Sequence, residues 1–372
     1  MKELLQRLGI KESDFFAAVE ADLGTITGTA GARHEMAAIP GGASIRGYAR
    51  VRLPGSGPLP SLVLMVLSDP DPAKGVEEVM AAGLIKELPF INVHRHLRAA
   101  GVAVPEIYHY NRNCGLIYLE DLGSVHLRQH IEPGSPERKQ EGFEAAIREL
   151  CKVQVDANNL KSTDFLGFLV KFDHDLLMWE LNHFTEYAID KRFPGALRPA
   201  DASAISAHFE AITAELLAGP YALQHRDYHM DNLLVPAGRV RVIDFQDAFM
   251  GPLAYDLACL LYDRDTSTIL GPDLIARLVD YYADEYEKRS GQALDRRAYR
   301  RGFELCVIHR MLKVVGRFHF IDQVKKRPEF LPFIPHMLPP IADYLGRDGS
   351  GRALLDVICR YLPELEAVRR DR

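Results

Sequence analysis

Hydrophobic positions along the chain change period several times, and each change marks an element. Leu4, Leu5 and Leu8 recur at helical spacing, and Asp14 to Val19 begin a further turn after Ser13, so residues 1–36 predict one helix or two. From Ile39 to Leu67 the period falls to two. Ile45, Gly47, Ala49 and Val51 alternate with Arg46, Tyr48, Arg50 and Arg52, which predicts a strand behind the small-residue turn Pro40-Gly41-Gly42-Ala43-Ser44. A Pro/Gly linker and the run SLVLMVL predict its partner strand. Residues 74–100 read as helical, with Pro89 where a helix begins, Phe90, Val93 and Leu97 on one stripe, and Gly101 as the stop. His94 and His96 are expected on its solvated face. VAVPEIYHY and CGLIYLEDLG predict two more strands.

Past Glu120-Asp121-Leu122-Gly123 nearly every segment has a helical period. Phe143 to Gln154 is amphipathic, and Leu176 to Ile189 sets an apolar stripe against Glu180, His183 and Tyr187, either a solvated face or one turned to a substrate. LIARLVDYYADEYEKRSG closes on Gly291, and Arg301 to Phe320 is a long apolar helix carrying Arg310, Lys313 and Arg317. Cations inside such a helix need a partner, which is either a structural acid or a bound anion. FLPFIPHMLPP reads as a proline-broken connector and LLDVICRYLPELEAVRR as a closing basic helix. The whole predicts a two-lobed α+β fold: residues 1–122 hold a small antiparallel sheet behind a helical extension, and residues 123–372 form a mainly helical lobe. A hinge needs a short, polar, Gly-containing connection, which places it at Glu120 to Gly123.

Composition narrows the class. The 372 residues are 47% hydrophobic and 26% charged with a net charge of −6, ordinary for a globular protein and without the basic footprint of a nucleic-acid binder. Five widely separated cysteines fit a reducing compartment better than a zinc site or a disulfide framework. The charged start and the short longest apolar run, Leu62 to Leu67, point to a cytoplasmic protein with no membrane span.

The chemistry concentrates between Gln224 and Leu261. His225-Arg226-Asp227 is followed by Asn232, then by a short apolar strand and Asp244-Phe245, the order H-R-D-x-x-x-x-N then D-F-x. Phosphoryl transfer needs one carboxylate at the attacking hydroxyl, and a second carboxylate with an amide oxygen on the metal. Asp227 suits the first role, while Asn232 and Asp244 offer the hard oxygens that suit Mg²⁺. His225 and Arg226 are expected to brace the loop, as is His229 unless it is simply buried and satisfied by backbone. Asp247 is either a solvent-facing acid or a substrate contact. Asp256, at the start of an apolar helix, has the position of an N-cap. The alternative, a polar loop between two strands, leaves the fixed spacing without a reason. Upstream, Gly41, Gly42 and Ser44 form a turn whose backbone N–H groups suit the phosphates of ATP, and the hinge residues Glu120 and Leu122 belong to the same nucleotide side.

The stretch resembles the aminoglycoside phosphotransferase and choline kinase group of small-molecule kinases. His229 two residues after Asp227, and Ile243-Asp244-Phe245 leading through Gly251-Pro252 to Tyr255-Asp256-Leu257-Ala258, separate it from protein kinases. Within the group, HRDYHMDNLL, IDFQDAFMGPLAYDLACLL, HRMLKVVGRF and GGASIRGYARV are most similar to bacterial kinases that phosphorylate the anomeric hydroxyl of N-acetylmuramate or N-acetylglucosamine in cell-wall recycling. The resemblance spans Ile39 to Phe320. It implies a kinase-like fold, ATP and Mg²⁺ as cofactors, a small-molecule acceptor, and an Asp256 that fixes the catalytic loop from below. Aminoglycoside, choline, ethanolamine and homoserine acceptors stay open. The cationic series Arg310, Lys313 and Arg317 would suit the lactyl carboxylate of N-acetylmuramate, unless local acids neutralise it. One departure stands out: the lysine that the resemblance leads one to expect on the strand of Met65 is missing. A non-catalytic nucleotide-binding scaffold is the opposing reading, although Asp227, Asn232 and Asp244 are all in place. Arg46 or Arg50 has the geometry to replace the lysine, ahead of Lys74 in its Pro-rich loop.

Overall fold

The computed structural model describes residues 1–40, 46–55, 57–68, 87–132 and 134–370. The predicted turn at Gly41, Gly42 and Ser44, Lys74, and the first half of the helix expected over residues 74–100 lie outside the described residues. The chain opens with α1 (Lys2–Leu8) and α2 (Glu12–Thr27). There follow β1 (Glu35–Ala38), β2 (Gly47–Arg52), β3 (Ser61–Val66), α3 (Pro89–Ala99), β4 (Ile107–Asn111) and β5 (Leu116–Glu120). The strands form one antiparallel sheet of order β1-β2-β3-β5-β4, in which Tyr48 pairs with Met65 and Leu64 with Tyr118.

Alternation in β2 and β3 gives that sheet two different faces. Val51, Leu62, Leu64, Val66 and Tyr118 form a core with Leu4, Leu5, Leu8, Phe15, Val19 and Leu23 of the two N-terminal helices. Each such side chain, fully buried, stabilises the fold by about 1.5–3 kcal/mol. Asp22 of α2 ties the layers together by accepting from the Tyr118 hydroxyl at 2.9 Å and from Asn111 Nδ2 at 3.0 Å. On the other face Met65, Ile117 and Leu119 join Phe90 and Val93 of α3 in a core that continues into the helical part.

That part contains α4 (Leu127–Ile131), α5 (Pro136–Cys151), α6 (His174–His183) and α7 (Pro199–Ala218). Both α5 and α6 run on as π-helical turns, to Ala157 and Asp190. Two small hairpin-like pairs follow, β6 (Tyr221–Gln224) with β9 (Phe249–Pro252) and, between them in the chain, β7 (Leu233–Leu234) with β8 (Arg241–Val242). The rest is helical: α8 (Tyr255–Tyr262), α9 (Thr266–Leu270), α10 (Pro272–Ser290), α11 (Arg296–Lys325), α12 (Ile334–Leu345), α13 (Gly349–Ile358) and α14 (Pro363–Arg370). The 30-residue α11 is the axis of the second core, buried against α6, α8 and α12. It crosses α6 so closely that a Cβ on Gly316 would stand 2.5 Å from the backbone of His183. Among the described residues no helix is long and apolar enough to cross a membrane.

Three expectations need correction here. FLPFIPHMLPP is not a broken connector, because Pro339 and Pro340 lie inside α12. The buried face of Met337, Leu338 and Ile341 outweighs the helix bonds that the prolines forgo. The closing helix is divided, α13 ending before Pro363 opens α14. Finally, His94 and His96 are buried: their Nε2 atoms donate to Pro105 O at 2.7 Å and Ala157 O at 2.8 Å, and the His96 ring stacks on Phe165 at 3.7 Å. Burial lowers both pKa values despite those bonds, which keeps the rings neutral.

Candidate active site

β6 carries the chain into the loop of residues 225–232, and buried amides hold the strand in place. Gln224 Oε1 accepts from Gln154 Nε2 at 3.0 Å and from the Asp256 amide at 3.1 Å. Gln154 reaches it from the π-helical turn after α5, and the Tyr282 hydroxyl donates to Gln154 in turn. Periodicity did not single out these two glutamines; an amide inside an otherwise apolar run is the signal that could have.

Asp256 is buried in the first turn of α8 and does not cap it. Its two oxygens instead accept from the backbone N–H groups of His225 at 2.5 Å and Arg226 at 2.9 Å. Arg226 has a left-handed backbone, φ 78°, unusual for a side chain of that size. The Asp256 pair on one side and Arg310 Nη1, donating to the Arg226 carbonyl at 3.2 Å, on the other hold it there. The Arg226 guanidinium lies over Phe249 at 4.3 Å, while His225 Nε2 donates to Ile243 O at 2.8 Å. The Tyr228 hydroxyl anchors the loop to Ala146 O of α5 at 2.8 Å.

This bracing presents Asp227 to a cleft of about 1410 Å³ between the five-stranded sheet and the helical part. The Asp227 side chain is 61% exposed to that cleft but walled by cations below, with Arg310 Nη2 at 3.6 Å. Burial alone would raise its pKa. The neighbouring charges, Arg310 first among them, together outweigh burial and hold the carboxyl well below the usual range. Asp227 is therefore an anion at neutral pH, suited to accept a hydrogen bond from a hydroxyl and orient it.

Asn232, Asp244 and Asp247 line the same cleft. Asn232 Nδ2 donates to Asp227 O at 2.9 Å, which commits the amide nitrogen and leaves its oxygen for other partners. Asp244 is also left-handed, φ 61°, with a 47% exposed side chain, and Phe245 beside it stacks on Phe90 at 4.9 Å. Gln246 donates to both Asp244 and Asp247, at 3.0 and 2.9 Å. Among the described residues no cluster of three or more His, Cys, Asp or Glu side chains is poised for a metal. Asn232 and Asp244 would offer two hard oxygens, the donor type that suits Mg²⁺. The His229 ring lines the cleft with an unpartnered Nδ1, so it is not satisfied by backbone there. Burial lowers its pKa.

On the sheet side, Arg46, Arg50, Glu120 and Leu122 also line the cleft. The Arg50 guanidinium is engaged just after β5, by Asp121 at 2.9 Å and Gly123 O at 2.8 Å. The Glu120 carboxylate is held by Arg241, at 3.0 and 2.5 Å. Arg46 points the other way, to Asp244 Oδ1 at 3.9 Å.

The helical candidates do not line the cleft. Glu180, read as solvated or substrate-facing, is 1% exposed and paired with Lys313 at 2.5 Å. Desolvation pushes the Glu180 pKa up, but Lys313 and the neighbouring charges together outweigh it and lower the pKa. Arg310 is occupied by Asp263 at 3.1 Å, and Arg317 lies over Phe320 at 4.9 Å. Local acids thus neutralise the first two cations of the series. His183 sits outside the cleft in an aromatic ladder with Trp179, Tyr187 and Phe320. Residues that spacing passed over do line the cleft: His126, Asp231 and Arg264, the last paired with Asp231. Asp231 lies within the loop and Arg264 just past α8, whereas His126, at the start of α4, carried no signal in the sequence.

Comparison with known proteins agrees with this geometry. Residues 35–294 match the phosphotransferase enzyme family, APH. The chain is 30% identical over 270 residues to the N-acetylmuramate/N-acetylglucosamine kinase of Neisseria meningitidis serogroup B, covering 71% of this chain and 76% of that one. It is 27% identical over 289 residues to the protein of the same name from Pseudomonas putida, covering 76% and 79%. Its fold is similar to that of an ADP-bound aminoglycoside phosphotransferase, with a TM-score of 0.53 over 89% of this chain and 98% of that one at 14% identity.

Proposed function

Because this chain belongs to the phosphotransferase enzyme family and is a small-molecule kinase, we propose that its donor is Mg·ATP and its acceptor the anomeric hydroxyl of an N-acetylated amino sugar, N-acetylglucosamine or N-acetylmuramate. One observation carries the reading: Asp227, kept anionic beside Arg310, opens onto the same cleft as Asn232 and Asp244. The lobes divide at Leu122 and Gly123, with the nucleotide under the sheet and the acceptor above the helices. Asp227 accepts a hydrogen bond from the attacking hydroxyl and aligns it with the terminal phosphate. The low proton affinity of Asp227 makes it an orienting group first and a proton acceptor late in the transfer. Asn232 and Asp244 would hold Mg²⁺, which supplies charge neutralisation between phosphate oxygens when bound. Asp256 and Arg310 fix the backbone next to Asp227, so that this carboxylate needs no rearrangement. A cytoplasmic location suits both substrates. The names of the relatives support the amino sugar, since Arg310 and Lys313 are neutralised by acids and no longer argue for a carboxylate on the acceptor.

Product identity tests the reading. Incubation with Mg·ATP and each sugar should give a phosphorus NMR signal coupled to the anomeric proton. Phosphate at the 6-position, or turnover with choline or an aminoglycoside alone, would overturn the acceptor.

A further inference from the structure

We propose that Arg46 is the phosphate-binding cation of this kinase, replacing a lysine on β3, and that α1 holds it in place. The proposal deepens the nucleotide half of the reading above and rests on it. The cleft face of β3 carries Val63 and Met65, and Met65 is fully buried against α3, so that strand presents no charge to a phosphate. The neighbouring chain on the same face carries Arg46, Tyr48, Arg50 and Arg52. Two of these arginines have different tasks. Arg50 is committed to the hinge, through Asp121 and the Gly123 carbonyl. Arg46, at the far end, reaches across the cleft to Asp244, with Nη1 3.9 Å from Oδ1 and a side chain only 15% exposed.

The position of Arg46 is built in from outside the family-matched residues 35–294. Arg7 of α1 donates to the Arg46 carbonyl at 3.3 Å. Gly47 sits so close to the same helix that a Cβ would stand 2.7 Å from Leu4 and 2.8 Å from Leu8. The start of β2 is thereby pinned to α1, and the guanidinium hangs over the residue expected to hold the metal. A pair at 3.9 Å is loose for Arg and carboxylate, whose direct bonds run to about 2.7–2.9 Å. With a Mg·triphosphate bound, Asp244 would serve the cation and Arg46 would offer its guanidinium to phosphate oxygens in place of that carboxylate. The planar fork of a guanidinium matches two such oxygens at once. No covalent step is involved.

The test is nucleotide binding without acceptor, by calorimetry with Mg²⁺ and three probes: AMP, ADP and a non-hydrolysable ATP analogue. Arg46→Gln should weaken the ATP analogue by about 30-fold, the scale of a lost charge-assisted contact, and leave AMP within about twofold. Arg46→Lys should recover part of the loss. Arg50→Gln should weaken all three probes alike, because it loosens the hinge. Arg7→Gln should show a smaller copy of the Arg46 pattern. Equal affinity of wild type and Arg46→Gln for the ATP analogue would overturn the proposal, as would an equal loss for AMP and the analogue. Neither result depends on which sugar accepts the phosphate, so failure here and failure of the acceptor assignment are read in separate experiments.

Discussion

The guanidinium of Arg310 lies 3.6 Å from the carboxylate of Asp227, although the two stand 83 positions apart and on different elements. The same guanidinium bonds Asp263 and the Arg226 carbonyl, so one buried cation sets both the charge and the backbone of the loop. Asp227→Ala should therefore lower turnover by about two orders of magnitude or more while leaving nucleotide affinity nearly unchanged. Arg310→Met should act differently. It leaves the buried Asp263 with only the longer pair to Arg264, at 3.6 Å, and should cost about 3 kcal/mol of stability, read by denaturant unfolding. Wild-type turnover in Asp227→Ala would remove Asp227 from the reaction.

Asp256 gives the pH dependence. Burial raises its carboxyl to about 6, against the opposing pull of His225 and the two amides. A raised folded-state pKa contributes stability that is complete below the ordinary carboxylate value and lost as pH rises through about 6. Activity moves in the opposite direction, because a protonated carboxyl keeps only one good acceptor oxygen for two backbone N–H groups. The wild-type kcat/KM should fall below pH 6, with no contribution near neutrality from Asp227, which stays ionised. Asp256→Asn should be about tenfold slower and flat across the same range. An acid limb that survives unchanged in the variant would assign it to another group.

Metal dependence separates Asp244 from Asp227. Asp244→Ala should weaken nucleotide binding in Mg²⁺ and match the wild type measured in EDTA. Calorimetry with and without metal reads both. If the wild type binds ATP equally well in EDTA, Asn232 and Asp244 do not hold a metal.

Gly316 tests the helix crossing that carries Arg310. A Cβ there would meet His183 C, O and Phe184 N, all at 2.5 Å, and backbone has no rotamer to yield. Gly316→Ala should lose about 1–3 kcal/mol or more, although alanine is the better helix former. A stabilised variant would mean that α11 and α6 can part without cost.

The sequence by itself determined the order of the chemistry and the class of the fold. His225 to Asn232 and Asp244 are close in the chain, so their spacing alone places them on one loop and the turn after it. The period-two run Gly47–Arg52 and the helical stripes beyond Gly123 likewise report local geometry, since side-chain direction follows from the backbone period. Tertiary structure decided who meets whom. Glu180 and Lys313 are both polar positions on apolar helices, and nothing in either helix says that they neutralise each other across 133 positions. His94 and His96 looked solvated because a helix shows only that two residues face different ways, not that both sides are covered. Asp256 looked like a cap because its loop partners, His225 and Arg226, lie about 30 positions earlier. Arg46 and Arg50 share one strand face and one residue type; the Asp121 carboxylate at one end and Asp244 at the other tell them apart. A charge declares itself in the sequence, but its partner is chosen by the fold, because burying it alone costs far more than any local preference can repay.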